Sequence, residues 1–228
     1  MPKKGAFREE RALGVFGYLK RWRNSCYVVD SRDPIYFGSE EARTRNFTKL
    51  LGDACPDAYE EVDCNVPKAL IGEMAITIFV DSDHAHDKIT CRSITGMMIL
   101  VGRTLVGYSS KCQGAIETSM YGAEFCAMRQ ATEEAISVRY MLRCLGVKVE
   151  TPTAVLGDNE GVILNATIKD SLLKKKHVAI SYHKVRESAA AGIIQPMKVN
   201  TKDNFADPLR KPLGECNFQR LIGQVSYG

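Results

Sequence analysis

The chain has 228 residues, of which 45% are hydrophobic and 25% are charged, and its formal net charge is +4. These values fit a globular protein with one substantial core, and the mild positive charge permits a polyanionic partner without requiring one. No apolar run reaches the roughly 18–20 residues of a membrane helix, and no apolar segment follows the basic N-terminus, so we expect neither a membrane partner nor a secretory signal. The eight cysteines form no CxxC pair, which favours a reducing, intracellular compartment without disulfides.

The first predicted element is an amphipathic helix that ends near Asn24. Its apolar residues recur at helical spacing and comprise Ala12, Val15, Phe16 and Leu19. A short strand over 26–30 should follow. Residues 40–70 are polar and show no sustained period, so we expect irregular structure there with one short helix near 41–51.

The pattern changes at residue 75, where short β-branched runs begin. The run over 75–80 predicts a strand, and the runs over 95–101 and 104–108 predict a hairpin that turns at Gly102 and Arg103.

The longest predicted helix starts after Ser119, a plausible N-cap, and ends at Gly146. Its apolar stripe consists of Met128, Ala131, Ala135, Val138, Leu142 and Leu145.

Helices and strands then alternate along the chain. We predict a strand over 153–156, a helix from Asn159, a helix over 178–191, a strand over 193–199 and a short helix near Asp203. This order indicates an α/β protein with a mixed sheet.

One glutamate lies on the apolar stripe of the long helix. Extending the stripe by four residues before Met128 reaches Glu124, which places this carboxylate on the core-facing side. Because desolvating a carboxylate costs several kcal/mol, Glu124 should reach solvent at the edge of the helix, pair with an arginine such as Arg129, or bind a metal ion.

Three aspartates occupy comparable places at the ends of predicted elements. Asp81 and Asp158 each follow a strand, and Asp207 lies in the last short helix. A surface acid or a helix cap explains each of them alone. Together with Glu124 they can converge at the carboxyl edge of an open sheet, where two magnesium ions, replaceable by manganese, would suit attack on a phosphodiester.

Zinc is the alternative that the stretch FVDSDHAHD raises. His84 and His86 could bind zinc together with Cys91, but no fourth ligand is evident. We therefore expect magnesium held by the carboxylates, with His84 packed or hydrogen-bonded near the strand end.

The chain also contains, in order, the segments FVDSDHA, TCRSITGMMILV, YSSKCQ, ETSMYGAEFCAM, LGDNEGVI, KKHVAISYHKVRE and TKDNFADPLRKPL. This ordered set, over residues 75–213, resembles the ribonuclease H domain of copia-type retrotransposon polyproteins. The earlier segment ALGVFGYLKRW resembles the end of the reverse transcriptase region in those polyproteins. No YxDD polymerase motif is present, so we expect no DNA synthesis from this chain.

The resemblance implies a ribonuclease H-like α/β fold, with a mixed sheet flanked by helices and a small α+β segment before it. Residues 1–70 would be a remnant of the reverse transcriptase connection and a linker. Residues 71–215 would form the ribonuclease H-like domain, and residues 216–228 would be a tail. By analogy with the family, the chain would act in the cytoplasm or the nucleus.

The resemblance also assigns the catalytic and metal-binding acids to Asp81, Glu124, Asp158 and Asp207. Asp81 would bridge two magnesium ions, Glu124 and Asp158 would complete the shell of one ion, and Asp207 would hold the other. The implied activity is two-metal-ion hydrolysis of the RNA strand of RNA/DNA hybrids, with the polymerase portion of a reverse transcriptase as a further partner.

Two alternatives stay open. One is a catalytically silent nucleic-acid-binding remnant of a retroelement. The other is a DNA-strand-transfer enzyme of the same fold, which is less favoured because such enzymes place their glutamate late among three acids, whereas Glu124 comes second among four.

Polar and basic residues between these acids are candidates for contacts with the hybrid. They are Ser110, Lys111, Gln113, Asn159, Lys175, Lys176, His177, His183 and Arg186. Basic segments supply salt-dependent phosphate binding, although a polar turn and a solvated helix face explain the same residues.

The chain departs from the family pattern without losing a predicted metal ligand. His84 and His86 stand where tryptophan and glycine are frequent, Glu160 and Gly161 where glutamine and serine are usual, and Arg210 where threonine is usual. Glu160 would weaken the approach of a phosphate if it faced the site.

Overall fold

The computed structural model describes residues 26–27, 29–30, 32, 45–85, 89–170, 178–211, 213–223 and 226–227. The helix predicted before Asn24 lies outside these residues.

The strands follow one another as β1 (Cys26–Tyr27), β2 (Ile71–Glu73), β3 (Ile76–Asp83), β4 (Ile94–Val101), β5 (Thr104–Cys112), β6 (Val147–Lys148), β7 (Thr153–Gly157), β8 (Ile194–Lys198) and β9 (Ser226–Tyr227). Five of them form a mixed sheet in the order β5-β4-β3-β7-β8. Within this sheet β3, β4 and β5 are antiparallel neighbours, and β7 and β8 run parallel to β3. The predicted mixed sheet and the predicted β4–β5 hairpin are confirmed.

The helices are α1 (Phe47–Leu51), α2 (Met120–Cys144), α3 (Glu160–Thr167), α4 (Ala179–Ala190), α5 (Asp207–Arg210) and α6 (Glu215–Ile222). Both predicted ends of the long helix α2 are confirmed. Ser119 Oγ accepts a hydrogen bond from Gly122 N at 3.1 Å. Beyond the helix, Gly146 has a φ of +76°, in the left-handed region that glycine adopts without strain.

Alternation along the strands produces two apolar layers, one on each face of the sheet. On one face, Ile78 and Val80 pack with Met128 of α2. On the other face, Phe79 packs with Leu221 of α6. The predicted stripe of α2 packs against the layer that contains Ile78 and Val80, except at Leu145. Leu145 is 67% exposed because it lies beyond the last helical turn.

Strand β3 is longer than predicted, since it continues through Asp83 instead of ending at residue 80. The extension exists because Asp81, Ser82 and Asp83 pair with Gly96, Thr95 and Ile94 of β4. The hairpin partner therefore holds the acidic segment in extended conformation.

Segments expected as linker and tail are packed onto the domain. Phe47 and Leu51 of α1 are buried in the main core. Glu60 accepts hydrogen bonds from Arg139 and Arg143 of α2 at 2.7–2.8 Å. At the other end, α6 lies where a tail was expected.

Candidate active site

The register between the two central parallel strands places Asp81 and Asp158 side by side. Phe79 of β3 pairs with Leu156 of β7. Asp81 lies two residues beyond Phe79 on β3, and Asp158 lies two residues beyond Leu156, directly after the end of β7. The two carboxylates therefore lie at one edge of the sheet.

Helix α2 brings a third carboxylate to the same place. Glu124 is 8% exposed and Asp81 has no exposed surface. One oxygen atom from each of Asp81, Glu124 and Asp158 lies within 4.8 Å of the corresponding atoms of the other two. We call these three residues the acidic cluster.

Burial dominates the electrostatics of this cluster. Burial, reinforced by the charges of Asp81 and Asp158, raises the pKa of Glu124 to about 8. Burial also raises the pKa of Asp81 to about 7, where the attraction of Arg210 opposes it and the charges of Asp158 and Asp207 add to it. A divalent cation would favour the ionised forms of both groups.

The donor atoms fit a hard cation. Asp81 Oδ1 is buried and has no hydrogen-bond partner within the described part of the chain, and leaving such an atom unpaired costs about 1–3 kcal/mol. The cluster offers carboxylate oxygens only, which suits magnesium or manganese better than zinc.

The fourth predicted acid, Asp207, is buried beside the cluster but outside it. Arg210 Nη2 lies 3.0 Å and Lys211 Nζ 2.7 Å from Asp207 Oδ1, as ion pairs rather than aligned hydrogen bonds. Arg210 Nε also donates to Asp81 Oδ2. The guanidinium thus connects Asp207 to the cluster.

The contact between Arg210 and Asp81 was not predicted, since Arg210 stands out in the sequence only as a departure from the family pattern. The available signal is the spacing of three residues between Asp207 and Arg210, which puts both side chains on one face of a helical turn.

Several residues predicted to contact the hybrid are accessible. Lys111 is exposed on β5, and Ser110, also exposed, donates to the carbonyl oxygen of Leu209 at 2.6 Å. His183 is exposed on α4, where it lines a groove of about 460 Å³ with residues 54–59. Asn159 is half-buried and caps α3 by accepting from Val162 N at 3.2 Å. Lys175, Lys176 and His177 lie outside the described residues.

Gln113 and Arg186 have structural roles, which corrects their assignment to the hybrid interface. Gln113 has no exposed surface, and its Nε2 donates to Thr95 Oγ1 at 3.0 Å and to Ala123 O at 2.9 Å. Arg186 is 4% exposed and donates to three carbonyl oxygens, one in the last turn of α3 and two just after it, including that of Ile168 at 2.6 Å. Neither side chain is accessible at the surface of the protein.

His84 and Glu160 each have a partner outside the acidic cluster. His84 Nε2 lies 3.0 Å from the carbonyl oxygen of Glu117, which confirms its predicted hydrogen bond near the strand end. Within the described ranges, the acidic cluster is the one group suited to a metal ion, and His86 lies outside those ranges. Glu160 forms an ion pair with Lys198, so its charge is compensated.

The sequence is similar to transposon polyproteins. It is 28% identical over 152 residues to the retrovirus-related Pol polyprotein from transposon RE1 of Arabidopsis thaliana, a match that covers 67% of this chain and 10% of the relative. It is 26% identical over 153 residues to the corresponding polyprotein from transposon TNT 1-94 of Nicotiana tabacum, covering 65% and 11%. The chain spans about a tenth of the length of the curated relatives it matches. No family model matches the chain.

Solved structures align with part of the chain at TM-scores below 0.5. The N-terminal RNase H domain of a Mycobacterium tuberculosis protein aligns over 65% of this chain and 99% of its own, with a TM-score of 0.46 and 17% identity. LC11-RNase H1 in complex with an RNA/DNA hybrid aligns over 59% and 92%, with a TM-score of 0.46 and 19% identity.

The homologues of this chain are therefore Pol polyproteins of copia-type transposons, which confirms the resemblance read from the sequence. The five-stranded mixed sheet with its flanking helices confirms the predicted α/β fold class. No helix in the described ranges is long and apolar enough to span a bilayer.

Proposed function

We propose that this chain hydrolyses the RNA strand of RNA/DNA hybrids as part of a retroelement polyprotein, using divalent metal held at the acidic cluster. The observation that carries the proposal is the convergence of Asp81, Glu124 and Asp158, whose ligand oxygens lie within 4.8 Å of one another. The choice of an RNA/DNA hybrid rests on the ordered segments that resemble the ribonuclease H domain and on the Pol relatives of the chain.

The chemistry follows from the oxygen ligands and their position at an open edge of the sheet. When bound, magnesium or manganese supplies a Lewis acid for the phosphoryl oxygens and lowers the pKa of water. Asp81, Glu124 and Asp158 would hold the cation. The resemblance assigns a second cation to Asp207, whose Oδ1 here lies 3.0 Å from Arg210 Nη2. Exposed Lys111 would bind a phosphate of the hybrid by charge, because such contacts position the backbone.

Cleavage of a labelled RNA/DNA hybrid by the full chain tests this proposal. Wild type with magnesium or manganese should cut only the RNA strand, and Asp158→Asn should lower the rate by roughly a hundredfold or more, as losing one electrostatic group at a transition state does. Glu160→Gln is the matched control, because it removes a nearby carboxylate that pairs with Lys198 outside the cluster. It should retain the wild-type rate.

Binding of the hybrid without cleavage by folded wild type would contradict the proposal. That outcome would favour a silent nucleic-acid-binding module, the alternative that the contact between Arg210 and Asp81 supports, since a guanidinium already occupies part of the site.

A further inference from the structure

The buried guanidinium of Arg210 lies between two of the predicted metal-binding acids, Asp81 and Asp207. The side chain of Arg210 is 15% exposed, that of Asp207 8% exposed, and that of Asp81 not exposed at all. The guanidinium donates through Nε to Asp81 Oδ2 and lies 3.0 Å through Nη2 from Asp207 Oδ1. Its planar fork thus uses two different nitrogen atoms for two different carboxylates.

The main chain holds Arg210 in this place. A Cβ atom at Gly96 would lie 2.7 Å from the carbonyl oxygen of Ala206, so the missing side chain lets α5 approach β4 directly. Ser110 Oγ donates to the carbonyl oxygen of Leu209, and Asn204 Nδ2 donates to that of Val80 at 3.1 Å. The turn before Arg210 is therefore fastened to β3, β4 and β5.

The net charge of the site limits how many divalent ions it can bind. Four ionised carboxylates at the site carry four negative charges, and Arg210 with Lys211 returns two positive ones. One divalent cation neutralises the remainder, whereas two would leave an excess of positive charge in a buried site, which is unfavourable.

We propose that Arg210 is an internal cation that competes with a divalent ion for Asp81 and Asp207. The chain then binds one divalent ion at the acidic cluster, and Arg210 excludes a second from the space between Asp81 and Asp207. This inference rests on the proposed function, because it concerns the same metal site. It makes Arg210 the residue that sets how many ions the site takes.

Calorimetric titration of MnCl₂ into the full-length chain tests the inference without an activity measurement. Wild type should bind one ion, and Arg210→Thr should bind two, or one with roughly 10–100-fold higher affinity, the range by which residues around metal ligands tune metal binding. Lys211→Thr is the matched control, because it removes a positive charge from Asp207 without any contact to Asp81. It should leave the stoichiometry at one.

The outcomes separate this inference from the proposed function. Urea unfolding first shows whether Arg210→Thr folds, and Arg210→Gln, which keeps a donor near the position of Nε but removes the charge, replaces it if it does not. Unchanged manganese stoichiometry and affinity in a folded Arg210 variant, with binding abolished by Asp158→Asn, would overturn the inference and leave the proposed function intact. No manganese binding by any variant would overturn both.

Discussion

Single residues in this chain show that polar character alone does not identify a ligand-binding residue. Gln113 lies between a strand and the Glu124 helix, in a polar segment that resembles a substrate-binding turn. Its amide instead joins β4 to α2 inside the protein. Sequence could not show this, because burial of a glutamine depends on partners 18 and 10 residues away along the chain.

Replacing Gln113 should therefore change stability and not hybrid binding. Gln113→Ala leaves Thr95 Oγ1 and the carbonyl oxygen of Ala123 without this donor, and we expect the free energy of unfolding to fall by about 1–3 kcal/mol. Urea denaturation measures this change. Exposed Lys111 is the control, and Lys111→Ala should keep the unfolding free energy within about 0.5 kcal/mol while weakening salt-dependent hybrid binding. The reverse pattern would show that Gln113 belongs to the interface.

The acids were more predictable than the cations around them. Asp81 and Asp158 follow β-branched runs, and Glu124 continues an apolar stripe, so local patterns alone placed all three at the sheet. The position of Arg210 depends on how closely α5 approaches β4 over Gly96, a tertiary contact that no local pattern contains.

At the scale of elements, long periodic segments were predicted well and short packed ones were not. The 25 residues of α2 carry a sustained stripe and two capping signals. Helix α6 has eight residues and buries Leu221 alone among them, so its apolar pattern is too short to distinguish from a polar tail. Its packing against the second face of the sheet was therefore missed.

Helix α6 should nevertheless contribute to the stability of the domain. Leu221 is 2% exposed and packs in the same layer as Phe79 and Phe205. We expect Leu221→Ala to lower the free energy of unfolding by about 2–5 kcal/mol, through lost burial and the cavity that remains. Asn217→Ala, on the exposed side of the same helix, should change it by less than about 0.5 kcal/mol. Equal effects of the two substitutions in urea denaturation would show that α6 is a tail.

At the scale of the whole molecule, the acidic cluster places carboxylates in an interior that is otherwise packed with apolar side chains. The two apolar layers favour burial, while Asp81 and Glu124 are carried into the same interior by β3 and α2. Buried carboxylates with raised pKa values oppose folding once they ionise, and such conflicts are concentrated at functional sites. The fold thus gives up stability at the place where we propose that it binds metal.

This conflict predicts how the stability of the metal-free chain depends on pH. The pKa of Asp81 is raised from 3.8 to about 7 and that of Glu124 from 4.5 to about 8, so between about pH 4 and pH 8 the folded state binds more protons than the unfolded state. The free energy of unfolding should therefore fall as pH rises through this window. The pKa of Glu60 moves the other way: hydrogen bonds from Arg139 and Arg143 outweigh burial and lower it to about 2, so its stabilisation is complete by pH 5.

Urea denaturation in EDTA at pH 5 and pH 8 measures the effect, and Glu124→Gln should make the difference between the two pH values smaller. Manganese should restore stability at pH 8 to wild type, because it binds only the folded state, and should restore less to Asp158→Asn. A metal-free chain that is as stable at pH 8 as at pH 5 would show that these carboxyls are not held in the neutral form. The acidic cluster would then keep its charge without a metal ion, with Arg210 as its compensating cation.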